Sequence, residues 1–210
     1  MATKDVREIV ANLKRLYPAI KTSLHHRNAF ELLMATILSA QCTDERVNIV
    51  TKTLFKQYRT PEDFSSANTK KLETIIRPTG YYHSKAKYIK EASKIIVRSF
   101  GSRVPDTMEG LLQLPGVGRK TANIILSVAY NKNEGIAVDT HVKRLSKRLG
   151  LTQSDNPDKI EEDLMTITPK ALWNKIAILL ILHGRNVCHA RKPRCADCIL
   201  NDVCPSAFSY

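Results

Sequence analysis

The chain has 210 residues, 43% of them hydrophobic, enough to bury a core in one large domain or two small ones. Its 33 lysines and arginines against 20 acids give a formal net charge of +13, which favours a polyanionic partner. The longest apolar run, Ile176–Leu182, is far too short to span a bilayer, and residues 1–20 are polar and helical without the apolar stretch of a signal peptide, so a cytoplasmic protein off the membrane is expected.

Helix is predicted nearly throughout, and no alternating strand pattern with a turn signal persists, so the fold class is all-α. Asn28 caps a run over 29–38 whose apolar residues cover most of the circumference, as in a buried helix. Thr43 caps a helix over 44–58, and Thr60-Pro61 places a cap before a proline at the first helical position. Gly80-Tyr81-Tyr82-His83-Ser84 leads into a helix over 85–100, apolar at Ala86, Ile89, Ala92, Ile96 and Phe100 and stopped by Gly101.

Leu114-Pro115-Gly116-Val117-Gly118-Arg119-Lys120 then breaks the rhythm, between a short helix near 107–112 and a longer one near 119–130. Two glycines let the backbone turn tightly and approach a ligand. The N–H groups that open the second helix bind anions, and beside a nucleic acid that anion is a backbone phosphate. Helix, L-P-G-x-G and basic helix together read as a helix-hairpin-helix. Lys120 lies in the first turn, beside Arg119 and near the positive helix end; both effects disfavour its charged form. A neutral lysine attacks electrophilic carbon and forms a Schiff base. A phosphate-binding lysine suits the position equally.

Further on, Asp139 stands at a helix start, as an N-cap or as a carboxylate that stabilises a developing cation. The run His141–Leu149 puts Lys143 one turn from Lys147, and Arg144 one turn from Arg148. Like charges at that spacing repel, which suggests either a counter-charge from outside the chain or a solvated face. Helices over 157–166 and 169–182, each opened by a proline, follow.

The last motif is Cys188, Cys195, Cys198 and Cys204, spaced C-x6-C-x2-C-x5-C, a ligand set for one metal centre. Zinc sites pair two short knuckles, and only one exists here. An iron–sulfur cube takes four thiolates at uneven spacing, whereas a disulfide scaffold belongs to a secretory context. Arg185, Arg191, Lys192 and Arg194 surround the first cysteines with no acid among them, which suits contact with nucleic acid. A fifth cysteine, Cys42, reads as a packing residue.

The hairpin, Val138-Asp139-Thr140-His141-Val142 and the cysteine spacing, in that order, resemble the endonuclease III family of helix-hairpin-helix DNA glycosylases and abasic-site lyases. Leu38-Ser-Ala-Gln-Cys-Thr-Asp44 and Leu182-His-Gly-Arg185 fit the same pattern, and the resemblance spans roughly residues 5–205. It implies two helical domains flanking a DNA-binding cleft. One is a six-helix barrel over 22–132 with the helix-hairpin-helix at about 107–130; the other joins 1–21 to 133–210 and holds a [4Fe-4S] cluster on the four cysteines.

The resemblance also implies a bifunctional enzyme acting as a monomer on double-stranded DNA. Its substrates would be oxidised or ring-saturated pyrimidines and abasic sites, with the target nucleotide flipped out of the duplex. Lys120 is then the nucleophile and Asp139 the essential carboxylate. Gln41 enters the space left by the flipped nucleotide, and Tyr81 stands where the family commonly has a wedging leucine. Gly116, Val117, Gly118, Arg119, Arg191, Lys192 and Arg194 complete the expected DNA contacts. Two alternatives differ at Lys120: monofunctional mismatch glycosylases carry another residue there, and a non-enzymatic helix-hairpin-helix module needs neither Lys120 nor Asp139.

Overall fold

The computed structural model describes residues 6–18 and 22–209. Residues 1–5, 19–21 and 210, which belong to the second expected domain, lie outside the described residues. The described residues form helices and no strand, and none of those helices is long and apolar enough to cross a membrane. The chain divides into two compact units: Thr22–Lys132, and helix α1 (Val6–Leu16) together with the chain from Asn133 onward.

The Thr22–Lys132 unit contains α2 (Ala29–Leu38), α3 (Asp44–Gln57), α4 (Pro61–Ser66), α5 (Thr69–Ile76), α6 (Tyr82–Phe100), α7 (Met108–Leu112) and α8 (Arg119–Tyr130). That is seven helical segments, α4 and α7 being only 6 and 5 residues long. Helix α2 is its axis: every residue from Phe30 to Leu38 is buried, and α3, α6 and α8 pack around it. Asn28 Oδ1 accepts from the Glu31 amide at 2.9 Å, which starts the helix as its sequence predicts. The buried Glu31 carboxylate in turn accepts from the Arg27 amide and Nε, both at 2.8 Å, so its charge is paired.

Thr43 and Thr60 cap α3 and α4 as expected, Thr60 through a reciprocal box with Asp63. Helix α6 starts at Tyr82, three residues before the expected start at 85, with Tyr81 in a left-handed conformation as its N-cap. Helix α5 escapes the sequence pattern because only Leu72 and Ile76 of its residues are buried, too few to set a period.

In the second unit α1 buries Val6, Ile9, Val10 and Leu13 as one stripe and packs on α11 (Trp173–Asn186). Helices α9 (Thr140–Arg148) and α10 (Pro157–Ile167) pack on each other, and α9 on α11. The helix expected over 169–182 is a 3-10 turn, Lys170–Leu172, followed by α11, which runs four residues further. Each unit has its own core.

Phe64 is fully buried at 0% exposure, edge-on to Phe30 at 5.3 Å and against Tyr58 at 5.5 Å. Phe64→Ala is expected to cost about 3–5 kcal/mol in chemical unfolding followed by circular dichroism. A loss under about 1 kcal/mol means that the α4–α6 packing is not cooperative with the core.

Candidate functional site

The hairpin between α7 and α8 is held from inside. Leu114 and Val117 are buried, and the Val117 N–H donates to Leu114 O at 3.1 Å. Val117, expected among the DNA contacts, therefore anchors the turn by side chain and amide alike. Gly116 has φ +80, and a Cβ there would meet the Tyr88 side chain at 3.0 Å, so glycine is required twice over. Gly118 differs: a Cβ there would meet nothing within 4 Å. Gly118 is the N-cap of α8 and supplies no side-chain cap, and a helix start of that kind suits an anion. Arg119 and Lys120 follow in the first turn, both exposed.

Asp139 belongs to the other unit, as the N-cap of α9. Its Oδ1 accepts from the amides of His141 and Val142, both at 2.8 Å. One oxygen thus satisfies the helix start, and Oδ2 stays available to a neighbouring positive charge.

The same helix corrects the reading of its basic run. Lys143 and Lys147 both pair with Asp155, at 3.1 and 2.8 Å. Arg144 donates to Gly184 O and Cys188 O, both at 3.0 Å. Arg148 is 7% exposed and donates to Cys188 Sγ at 3.3 Å, His189 O at 2.7 Å and Ala190 O at 3.0 Å. The counter-charge comes from within the chain, and the two arginines clamp the cysteine loop.

Cys188, Cys195, Cys198 and Cys204 line one shared pocket with Arg148. Among the described residues, no three His, Cys, Asp or Glu side chains converge as they would on a single metal ion. Four thiols spread around a shared space suit a cube with one iron per sulfur. Donors face the sulfurs: besides Arg148 at Cys188, the Leu200 amide donates to Cys198 Sγ at 3.4 Å, and His183 Nε2 lies 3.2 Å from the same sulfur. Burial, with a smaller contribution from the three other thiols, pushes the Cys198 thiol up, while the Leu200 amide pulls it down. Burial also pushes His183 down to about 4. The neutral ring then accepts from Tyr17 OH at Nδ1 (3.4 Å) and donates from Nε2 to sulfur. These second-layer groups escaped the sequence reading, although Leu182-His-Gly-Arg185 had marked their place. Gly184 is needed because a Cβ would lie 2.9 Å from His141 Nδ1, where α9 and α11 meet.

Of the cationic loop, Arg191 and Lys192 are exposed, Lys192 at φ 53. Arg194 turns back to donate to Asn186 O at the end of α11. Gln41 and Tyr81 are both exposed, on separate turns of the Thr22–Lys132 unit.

Comparison with known proteins decides the family. Residues 34–170 match the HhH-GPD superfamily of base excision DNA repair proteins, and residues 188–204 match the iron-sulfur binding domain of endonuclease III. The endonuclease III of Synechocystis sp. is 50% identical, over 99% of this chain and 95% of its own length. The chain belongs to the endonuclease III family. A non-covalent endonuclease III–DNA complex superimposes with a TM-score of 0.93 at 41% identity, covering 100% of this chain and 98% of that one. A trapped endonuclease III–DNA covalent intermediate does so with a TM-score of 0.93 at 42% identity, covering 100% and 99%. The family's cofactor is a [4Fe-4S] cluster, and the four cysteines that line one pocket supply the one thiolate per iron that it needs.

Purified protein should accordingly be yellow-brown and carry about four iron and four sulfide per chain; colourless protein with one zinc contradicts the assignment. Arg148→Met should fold and load but lose its visible absorption to a chelator several times faster than wild type, because Cys188 Sγ and two loop carbonyls lose their donor. Equal bleaching rates mean that the guanidinium does not hold the loop.

Proposed function

We propose that this chain removes oxidised or ring-saturated pyrimidines from double-stranded DNA and then cuts the strand, with Lys120 as nucleophile and Asp139 as its electrostatic partner. Membership of the endonuclease III family makes it a base excision repair glycosylase and abasic-site lyase. The observation that carries the residue assignment is the hairpin: an exposed lysine stands one residue into α8, directly after a tip whose open glycine brings no side chain between the helix start and a phosphate. A phosphate held there brings the adjacent sugar within reach of an amine, as general geometry requires.

The chemistry then balances as follows. The damaged nucleotide is extruded from the duplex. Lys120 Nζ bonds to C1′ as the glycosidic bond breaks, and the base leaves with the electron pair and takes up a proton. Ring opening gives an imine between Nζ and C1′. The imine acidifies C2′; a base removes that proton, the C3′–O bond breaks, and the strand is cut on the 3′ side. Hydrolysis of the imine frees Lys120. Asp139, fixed through Oδ1, offers Oδ2 to the cationic sugar and iminium. When bound, the cluster cross-links the 188–204 segment; it takes no part in these bond changes. Gly116, Gly118, Arg119, Arg191 and Lys192 face the phosphates, while Arg194 shapes the loop that bears the last two. The enzyme works as a monomer, in the compartment that holds the DNA.

Lys120→Gln should abolish base removal and strand cutting while binding abasic DNA within about threefold of wild type, since the hairpin amides remain. Asp139→Asn keeps an N-cap as good as the original. It should therefore fold normally and lose about 3–4 kcal/mol of transition-state stabilisation in single-turnover rate. A fully active Asn variant removes the carboxylate from the chemistry.

Gly118→Ala gives a test of the hairpin. Nothing in the protein opposes that Cβ, so thermal stability should hold, while DNA affinity drops about tenfold or more, one tenfold step being ~1.4 kcal/mol. Unchanged affinity means that the backbone at Gly118 does not approach DNA.

A further inference from the structure

Gln41 and Tyr81 share a backbone feature that few residues with a Cβ adopt. Their φ values are 52 and 48, both left-handed. Such a conformation persists only where its surroundings over-determine it. Neither side chain supplies that constraint: Gln41 is exposed, and Tyr81 is 67% exposed.

One buried residue touches both turns. Lys85 is 3% exposed, and its Nζ donates to Leu38 O and to Thr79 O, each at 2.7 Å. Leu38 is the last residue of α2, three before Gln41. Thr79 ends the 3-10 turn Arg77–Thr79, two before Tyr81. Both carbonyls lie at C-terminal helix ends, where carbonyls lack intrahelical partners and attract a cation. The Lys85 amide also donates to Tyr81 O at 3.0 Å, so Lys85 brackets Tyr81 from both sides. Burial pushes the ammonium down from the usual lysine value, with the Cys42 thiol pulling the other way. A buried ammonium with such a cost is retained by the fold as a tie between two distant pieces of chain.

We infer that Lys85 is a positioning residue for lesion recognition: its side chain locks the Gln41 and Tyr81 turns into one rigid unit, so that both side chains enter the duplex together. This rests on the proposed function and on the roles that the family resemblance implies for two residues, Gln41 filling the space of the extruded nucleotide and Tyr81 wedging beside it. Lys85 itself is sealed from DNA and acts through those two residues.

The test compares two substrates in one preparation. Lys85→Met keeps an unbranched side chain of similar reach and removes the donors; Lys85→Gln keeps an uncharged amide donor and should lose less. Base removal from duplex thymine glycol needs extrusion, whereas β-elimination at an abasic site in single-stranded DNA does not. Lys85→Met should slow the first about ten- to a hundredfold, the size expected of a displacement near 1 Å. The second should stay within about twofold. Fluorescence of 2-aminopurine beside the lesion should rise less on binding. In a Gln41→Ala/Tyr81→Ala background, Lys85→Met should add almost nothing. Equal losses on both substrates, an unaffected duplex rate, or a full additional loss in the double-variant background would each overturn the inference.

If neither Lys85 variant folds, the Gln41→Ala/Tyr81→Ala cycle in otherwise wild-type protein decides. A double loss smaller than the product of the single losses supports a shared tie; losses that multiply overturn it. Wild-type protein that forms no borohydride-reduced adduct with single-stranded abasic DNA sinks the Lys120 reading instead, and leaves the 2-aminopurine comparison standing.

Discussion

The second unit depends on how α9 grips the cysteine loop. Residues 188–204 form no helix beyond one 3-10 turn, and Leu200 is their only buried apolar side chain. Ordering backbone costs about 1–2 kcal/mol per residue. Hydrogen bonds from charged donors return only about 1.5–3 kcal/mol each, so Arg144 and Arg148 cannot by themselves hold the loop. Four sulfur–iron bonds make up the difference. The arginines then do two things that metal alone does not: they satisfy carbonyls that no strand or helix serves, and they stabilise the Cys188 thiolate.

That grip extends along a single helix to the carboxylate proposed as the partner of Lys120. Asp139 caps the start of α9, and Arg144 and Arg148 leave it within the next three turns. The helix that presents the carboxylate is therefore the helix that the cluster loop fixes, and loss of cluster and disturbance of Asp139 are physically linked. It also revises the meaning of the +13 charge. Arg144, Arg148, Arg194 and Lys85 spend their donors on backbone carbonyls, and Lys143 and Lys147 on Asp155. The basic groups facing outward from the hairpin and the cysteine loop are a small subset of the total.

What sequence made legible was local chemistry. Asn28, Thr43 and Thr60 cap the helices that they precede, because an N-cap needs only its own next three residues. The all-α class, the hairpin and the cysteine centre were legible for the same reason: each is a short motif with a geometric requirement, seen at Gly116 in its φ of +80. Direction was not legible. A pair of arginines at i and i+4 has the same spacing whether it faces water or a cysteine loop. Lys85 lies one turn before Ile89 on the buried stripe of α6, yet its charge hid it among solvated residues. Val117 stands in the tip between Gly116, packed on Tyr88, and the open Gly118, yet its side chain is buried, a direction that the motif alone does not give.

In the proposed mechanism, base removal and strand cutting pass through an imine on one amine, that of Lys120. The most direct measurement is borohydride reduction of the enzyme with lesion-bearing duplex, followed by nuclease and protease digestion and mass spectrometry of the modified peptide. The account predicts one deoxyribose-derived mass increment, on the peptide that contains Lys120 and no other. An increment on another lysine or on the N-terminal amine, or a strand cut with no modified peptide at all, contradicts it.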